Sequence, residues 1–336
     1  MGPEVTPDSA LSARPLPPRD KLTLCFAHAA YRMGDRFAVR NTGLDWFEVR
    51  TLDELKERIG EVDVLAVSGL WRNELIAAAP RLGFIQSISA GTDQYSRDAL
   101  RAAGIRLASA QGVNERAVAE HAIALILAMA RKIPEARDNQ AAKKWRGAIG
   151  EIARREDELE GKTLVIVGMG RIGARLATLA KAFDMRVIGI RQDPAKGAGA
   201  ADQVVAEDGL LNLLHLADFV ALTCPLTPRT ENLIDARAFA AMKPSACLVN
   251  VARGKVVNEP SLVEALNQKR IAGAALDCTW EEPLPATSAL WGMPNVLITP
   301  HTAGETQRYE DNVLDLLLEN LARVYRGETA LKNQIA

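Results

Sequence analysis

This sequence lacks several things, and each absence removes a class of function. Net charge is nearly nil, with 41 Lys and Arg against 42 Asp and Glu for a formal charge of -1. There is therefore no electrostatic case for a nucleic acid or an anionic membrane surface as partner. Long apolar runs are missing too. The longest, "AIALILAMAR" at 122–131, falls well short of the ~20 residues that cross a bilayer and meets Arg131 and Lys132, so it reads as a core helix. Cysteines are few. Cys25, Cys224, Cys247 and Cys278 lie far apart without a Cys-x-x-Cys pair, as expected of reduced core thiols in a cytoplasmic protein rather than metal ligands or disulfides. The opening "MGPEVTPDSALSARPLPPRD" has no apolar core of a signal peptide, and its prolines and small residues predict a disordered tail over 1–20. What remains is a soluble chain whose partner is a small molecule.

With 336 residues, 48% of them hydrophobic, the chain exceeds what one core usually organises and predicts two. From Leu22 onward short apolar runs alternate with helical patterns: "LTLCFAHA", "WFEVR", "TLDELKERIG", "VDVLAVSG", "RNELIAAAP", "LGFIQSIS", "SRDALRAAG" and "IRLASA". A second such series starts at "KTLVIVG". It runs through "MRVIGI", "QVV", an expected helix at "DGLLNLLHLA", "DFVALTC", "ARAFAAMK", "ACLVNVA", "SLVEALNQ", "IAGAALD" and "NVLITP". The alternation predicts an α/β protein of two doubly wound parallel sheets. Long amphipathic stretches at 114–145 and 305–327 read as helices linking the two, the second packing back on the first domain. The expected division is 21–115 plus 302–336 for the substrate domain and 116–301 for the nucleotide domain.

The second series opens with its most specific motif. Gly168, Gly170 and Gly173 form Gly-x-Gly-x-x-Gly directly after "TLVIV" and directly before a helical run that begins with Arg171 and Ile172. The first glycine permits a tight turn, the second a close approach of backbone to a pyrophosphate, the third close packing of helix on strand. The following strand ends where an acid would hold the ribose hydroxyls of NAD, and Arg191 stands there instead. A guanidinium grips a 2'-phosphate bidentately, so the expected cofactor is NADP in preference to NAD. Asp193, two residues on, is the alternative reader of an unphosphorylated ribose.

Three later stretches follow strand-like runs and so lie at carboxyl ends of strands: "LVNVARGKVV" with Arg253, "AALDCTWEEPLP" with Glu282, and "LITPHTAG" with His301. Singly, each has a plainer reading as a loop salt bridge, a solvated acid before proline and a helix-start histidine. Together, "GMGRIG", "CPLTPRTENLID", "MKPSACLVNVARG", "IAGAALD", "EEPLP" and "TPHTAG" closely resemble, in order, the D-isomer-specific 2-hydroxyacid dehydrogenases. "SAGTDQ" at 89–94 and "NERAVAEHAIALILAMAR" at 114–131 extend the likeness to about nine-tenths of the chain, on the glyoxylate/hydroxypyruvate reductase side of that family.

The resemblance implies hydride transfer between NAD(P)H and a 2-oxo acid, in a cleft between a flavodoxin-like substrate domain and a Rossmann nucleotide-binding domain. Arg253 would bind the substrate's carboxylate and carbonyl oxygen, His301 would exchange the proton, and Glu282 would hold the other ring nitrogen. Charge building on the carbonyl oxygen needs such a proton and cation, and a carboxylate beside imidazole raises its pKa. Backbone around Ala90, Gly91 and Thr92 would receive the carboxylate, Asp277 would bond the nicotinamide carboxamide, and Cys224 and Pro225 would line the adenine side. Tyr31, Arg32, Met33, Leu70 and Trp71 are candidates to line the substrate side chain, Asp93 and Glu120 are assigned structural roles, and His28, His121 and His215 match no catalytic position. The segment at 137–156, with a buried-looking Trp145, corresponds to an arm that wraps a twin subunit and implies a homodimer. A phosphite-type dehydrogenase would keep Arg, Glu and His, and a corepressor-like nucleotide sensor is the alternative outside catalysis.

Overall fold

The computed structural model describes residues 13–336, which divide into two compact units: the chain up to Val113 together with Thr306–Ala336, and Asn114–Glu305. In the first unit the elements are β1 (Thr23–Ala27), α1 (Met33–Ala38), β2 (Asp45–Val49), α2 (Leu52–Arg58), β3 (Val64–Val67), α3 (Leu75–Ala78), β4 (Phe84–Ser87), α4 (Arg97–Ala102) and β5 (Arg106–Ala108). All pairings are parallel and the order is β2-β1-β3-β4-β5, the flavodoxin-like arrangement. Parallel strands are covered on both faces, which is why β3 and β4 are buried at every residue rather than alternately. The C-terminal helix, Tyr309–Tyr325, covers one face by burying Tyr309, Val313, Leu314, Leu317 and Leu321 with Phe26, Phe37 and Phe84. Helix α2 starts at a capping box in which Thr51 Oγ1 accepts from Glu54 N–H and the Glu54 carboxylate accepts from Thr51 N–H.

The tail expected to be disordered through residue 20 is anchored from Arg14 on, while residues 1–12 lie outside the described part. Arg14 donates from its guanidinium to the carbonyls of Ala79, Leu82 and Ala103 and from its backbone to Gly104. Leu16 fills the space left by Gly83, where a Cβ would stand 2.9 Å from the leucine Cδ2. Composition suggested disorder, but three satisfied carbonyls and one glycine-shaped niche hold the segment in place.

The second unit comprises α5 (Glu115–Ala130), α6 (Ile133–Ala141), β6 (Thr163–Val167), α7 (Arg171–Lys181), β7 (Arg186–Ile190), β8 (Gln203–Val205), β9 (Phe219–Leu222), α8 (Ala236–Ala241), β10 (Cys247–Asn250), α9 (Glu259–Asn267), β11 (Gly273–Leu276) and β12 (Val296–Ile298). Its parallel seven-stranded sheet runs β12-β11-β10-β9-β6-β7-β8. The order reverses direction at β6, which lies between β9 and β7, and that switch point opens a crevice at the strands' carboxyl ends. Apolar layers fill both faces, one built on α5 and α7 and the other on α8 and α9.

Two expectations for this unit are corrected. The helix expected at 208–217 is instead a pair of 3-10 turns, Glu207–Gly209 and Leu214–Leu216. Gly209 lies against Val205, and Leu210 and Leu214 reach the core separately. Trp145, expected to be buried, is 98% exposed, with Ile133 and Ile152 exposed nearby in sequence. Of the cysteines, Cys25, Cys224 and Cys278 are buried and Cys247 is partly so, all as free thiols. Among the described residues no helix is long and apolar enough to cross a membrane, and no group of His, Cys, Asp and Glu could hold a metal ion.

Candidate active site

The glycine loop is shaped by contacts that exclude side chains. Gly168 adopts φ +106°, and a Cβ there would lie 2.5 Å from Cys224 N. At Gly173 a Cβ would lie 2.3 Å from Gly168 O, so helix α7 can pack this closely on the turn only without a side chain. Gly170 differs from both. It precedes α7 as its cap, and a Cβ there would have nothing within 4 Å, which leaves open space beside the unpaired amides of the helix's first turn. Thr223 Oγ1 donates to Gly168 O at 2.7 Å and ties this loop to the end of β9.

From the glycine loop a cavity of about 610 Å³ extends past Arg191, Asp193, Lys196, Glu207, Pro225 and Arg229, with Cys224 also in its wall. Burial holds the Cys224 thiol up at about 11, so it lines the cavity as a neutral group. Strand β7 ends at Ile190, making Arg191 the first residue beyond it. Its Nη1 donates to Gly197 O at 3.0 Å. Asp193 caps the short turn that follows by accepting from Ala195 N–H. Arg229 pairs with Glu207 at 3.2 Å. The cavity thus holds three cations against two anions, with α7's amides at its other end, and its donors fit the phosphates of a dinucleotide.

The second cluster forms at the ends of β10, β11 and β12. Asn250, buried at the end of β10, accepts from Ala252 N–H and donates to Arg253 O, folding the turn that presents Arg253. Gly254 then passes so close to the β11 loop that a Cβ would stand 1.9 Å from Thr279 O. Thr279 N–H in turn donates to Glu282 Oε1 at 3.1 Å, and Glu282 Oε2 meets His301 Nδ1 at 2.7 Å. His301 holds φ +56°, a left-handed conformation that costs a residue with a side chain roughly 1 kcal/mol or more. Asp277 stabilises that loop: its buried carboxylate accepts from Thr299 Oγ1 at 2.6 Å and from the Thr302 and Ala303 amides at 3.0 Å each.

The electrostatics follow from this geometry. The hydrogen bond to Glu282 raises the His301 pKa above its ordinary value against the opposing effect of burial, with the Glu282 charge adding to the rise and Arg253 subtracting from it. For Glu282, burial pushes the pKa up, but the hydrogen bond and charge of His301, the Thr279 amide and Arg253 outweigh it and leave the carboxyl below its ordinary range. Arg253 is thus within electrostatic reach of both. Because Glu282 is ionised, His301 Nδ1 carries the shared proton, and Nε2 is the nitrogen left to exchange one with a reactant.

The structure therefore brings Arg253, Glu282 and His301 together in one unit. In the first unit the loop of Ala90, Gly91 and Thr92 follows β4. Ser87 Oγ bonds both the amide and the carbonyl of Ser89, and Thr92 O accepts from Tyr95 N–H. Of the residues expected to line a substrate side chain, Met33 and Trp71 are fully buried in the core, while Tyr31, Leu70 and Arg32 reach the surface to differing extents. Sequence reasoning missed Asn250, Thr279 and Thr299. A buried polar residue at the end of an apolar strand was the available signal for the first.

Residues 123–303 match the family model of the D-isomer specific 2-hydroxyacid dehydrogenase NAD binding domain. The chain belongs to that family. It is 35% identical over 258 residues to the glyoxylate reductase of Korarchaeum cryptofilum, covering 76% of each chain. It is 36% identical over 282 residues to the D-3-phosphoglycerate dehydrogenase of Methanocaldococcus jannaschii, covering 83% of this chain but spanning only 53% of that longer protein. Among solved structures, the NADPH-dependent glyoxylate/hydroxypyruvate reductase of Sinorhizobium meliloti, in complex with NADP and malonate, superposes with a TM-score of 0.79. It is 26% identical, over 94% of this chain and 97% of that one. The family thus includes members that use NADP, and the nucleotide-binding unit is present here.

Proposed function

We propose that this protein reduces a small 2-oxo acid to the D-2-hydroxy acid, with NADPH preferred over NADH. The observation that carries the reading is the His301–Glu282 pair at 2.7 Å, with Arg253 in electrostatic reach, on neighbouring strand ends of a dinucleotide-binding sheet. When bound, the nicotinamide supplies the hydride. Arg253 neutralises charge on the substrate's carboxylate and carbonyl oxygen, so that the carbonyl carbon is the electrophilic centre. His301 delivers its Nε2 proton to the oxygen as negative charge develops there. Glu282 keeps the ring oriented through Nδ1 and stabilises its protonated form before transfer. In the reverse direction the neutral ring takes the hydroxyl proton.

Arg191 supports the choice of NADPH. It follows β7 directly, retains donors beyond its bond to Gly197, and shares the cavity with Lys196 and Arg229. The deciding experiment is the initial rate of NADPH and NADH oxidation with glyoxylate, hydroxypyruvate, pyruvate and phenylpyruvate, for the wild type and Arg191→Ala. A charge-assisted contact of ~1.5–3 kcal/mol corresponds to roughly a 10- to 100-fold loss of NADPH preference in the variant. Preference for NADH in the wild type would refute the cofactor reading, and no reduction of any oxo acid would refute the reaction.

The protein acts as a homodimer through the segment at 137–156, where Trp145 and Ile152 present large apolar side chains to solvent. Light scattering at micromolar concentration is expected to give twice the chain mass, and a strictly monomeric mass would remove this part of the proposal.

A further inference from the structure

His121 was expected to be an ordinary surface or core histidine, yet its environment connects it to the active-site loop. It lies on α5, and its Nε2 stands 3.0 Å from Thr299 Oγ1 and 3.5 Å from Asp277 Oδ1. The Thr299 hydroxyl has a single proton, and that proton is donated to Asp277 Oδ1 at 2.6 Å. Toward His121 the threonine oxygen can therefore only accept. This places a proton on His121 Nε2 and orders the chain in one direction: His121 to Thr299, Thr299 to Asp277.

Asp277 spends its remaining bonds on the amides of Thr302 and Ala303. The residues held by this relay, Thr299 on one side and Thr302 and Ala303 on the other, bracket His301. His301 sits at the unfavourable φ of +56° and does not itself touch His121's relay through a side chain. A left-handed residue persists only where its surroundings over-determine it, and here the over-determination comes from α5 as well as from the sheet. Nothing in the proton transfer itself requires His121, so a role for it must be exerted through the loop.

We propose that His121 is a positioning residue for His301: acting through Thr299 and Asp277, it holds the strained loop so that the His301 ring meets Glu282 and keeps Nε2 for proton exchange. The inference rests on the oxo acid reductase reading for its kinetic consequence but not for its structural one, and the test separates the two. In protein labelled with 15N at histidine, the imidazole nitrogen shifts report the tautomer of His121 and the hydrogen bonding of His301 Nδ1 without any substrate. The expected result is a protonated Nε2 on His121, and a displaced His301 Nδ1 signal in His121→Leu that returns in His121→Gln, whose amide restores a donor to Thr299.

Kinetically, His121→Leu is expected to lower kcat for oxo acid reduction about 10- to 100-fold, the effect of a displacement near 1 Å at a reacting group, with substantial rescue by His121→Gln. Thr299→Val interrupts the same relay at nearly constant volume and should give the same loss of kcat if the leucine variant folds poorly. A neutral His121 protonated on Nδ1 would overturn the proposal, as would unchanged His301 signals in both the leucine and valine variants. If the wild type reduces no oxo acid yet the His301 signal follows the donor at position 121, the positioning role stands and the functional reading fails.

Discussion

Replacing Gly254 by alanine tests whether the Arg253 turn and the Glu282 loop form one mechanical unit. The new Cβ would stand 1.9 Å from Thr279 O, 2.0 Å from Thr279 C and 2.6 Å from Trp280 N, all backbone atoms that no rotamer change can move aside. To restore even a 3.0 Å separation the Thr279 carbonyl must retreat by about 1.1 Å. That displacement is carried directly to the Glu282–His301 pair, because Thr279 N–H holds Glu282 Oε1 and Glu282 holds His301. A shift of about 1 Å at a reacting group costs on the order of 100-fold in rate, and overpacking of this kind costs ~1–3 kcal/mol in stability. The assay is kcat for NADPH oxidation with the best oxo acid, alongside nucleotide Kd by fluorescence titration. Gly254→Ala should lose rate while Kd stays within about twofold, since the glycine loop lies on a different strand end. Gly170→Ala supplies the opposite pattern: its Cβ meets nothing in the protein, so the change costs only the ~0.5–1 kcal/mol of a poorer helix cap, but on the proposed reading it projects where a pyrophosphate approaches and weakens nucleotide binding. A Gly254→Ala enzyme with a rate within about threefold of wild type would show that the two loops are not coupled as described.

Three further outcomes rest on the same structure. On the mechanism proposed above the protonated His301 is the active form in the reductive direction, so kcat/KM is expected to be level at low pH and to fall as pH rises through its raised pKa. Glu282→Gln removes the main cause of the rise, and the falling limb should move to lower pH; a limb that stays in place would refute the assignment. For stability the signs are opposite for the two partners. The contribution of His301 is complete below its unfolded pKa and lost as pH rises through its folded one, whereas that of Glu282 is present above its unfolded pKa and lost as pH falls through its lowered one. Far from the site, Thr51→Ala removes the capping box of α2 and should speed amide exchange across Leu52–Arg58 about fivefold, or ~1 kcal/mol, with turnover unchanged; exchange at the wild-type rate would contradict the capping role.

Much of this protein is determined by sequence alone, because the information is local. Short, β-branched apolar runs bounded by glycine, such as "TLVIV", read as strands covered on both faces, and their alternation with helical patterns leaves little choice but two parallel sheets. The glycines at 168, 170 and 173 carry their requirement in their lack of a side chain, and Arg253, Glu282 and His301 were legible through the motifs around them. What local pattern could not carry is anything that depends on a partner distant in the chain. Composition assigned Arg14 to a disordered tail, but three carbonyls from two loops anchor it. Leucine periodicity suggested one helix at 208–217, but Gly209 against Val205 divides it into two turns. Trp145 looked buried because tryptophan usually is, yet it lies in solvent. His121 and Thr299 are 178 residues apart, and only the tertiary fold places a donor on α5 against a hydroxyl beyond β12. Sequence fixes which groups exist and which local geometries they tolerate; hydrogen bonds between strand ends, sensitive to tenths of an ångström, decide which of those groups act together.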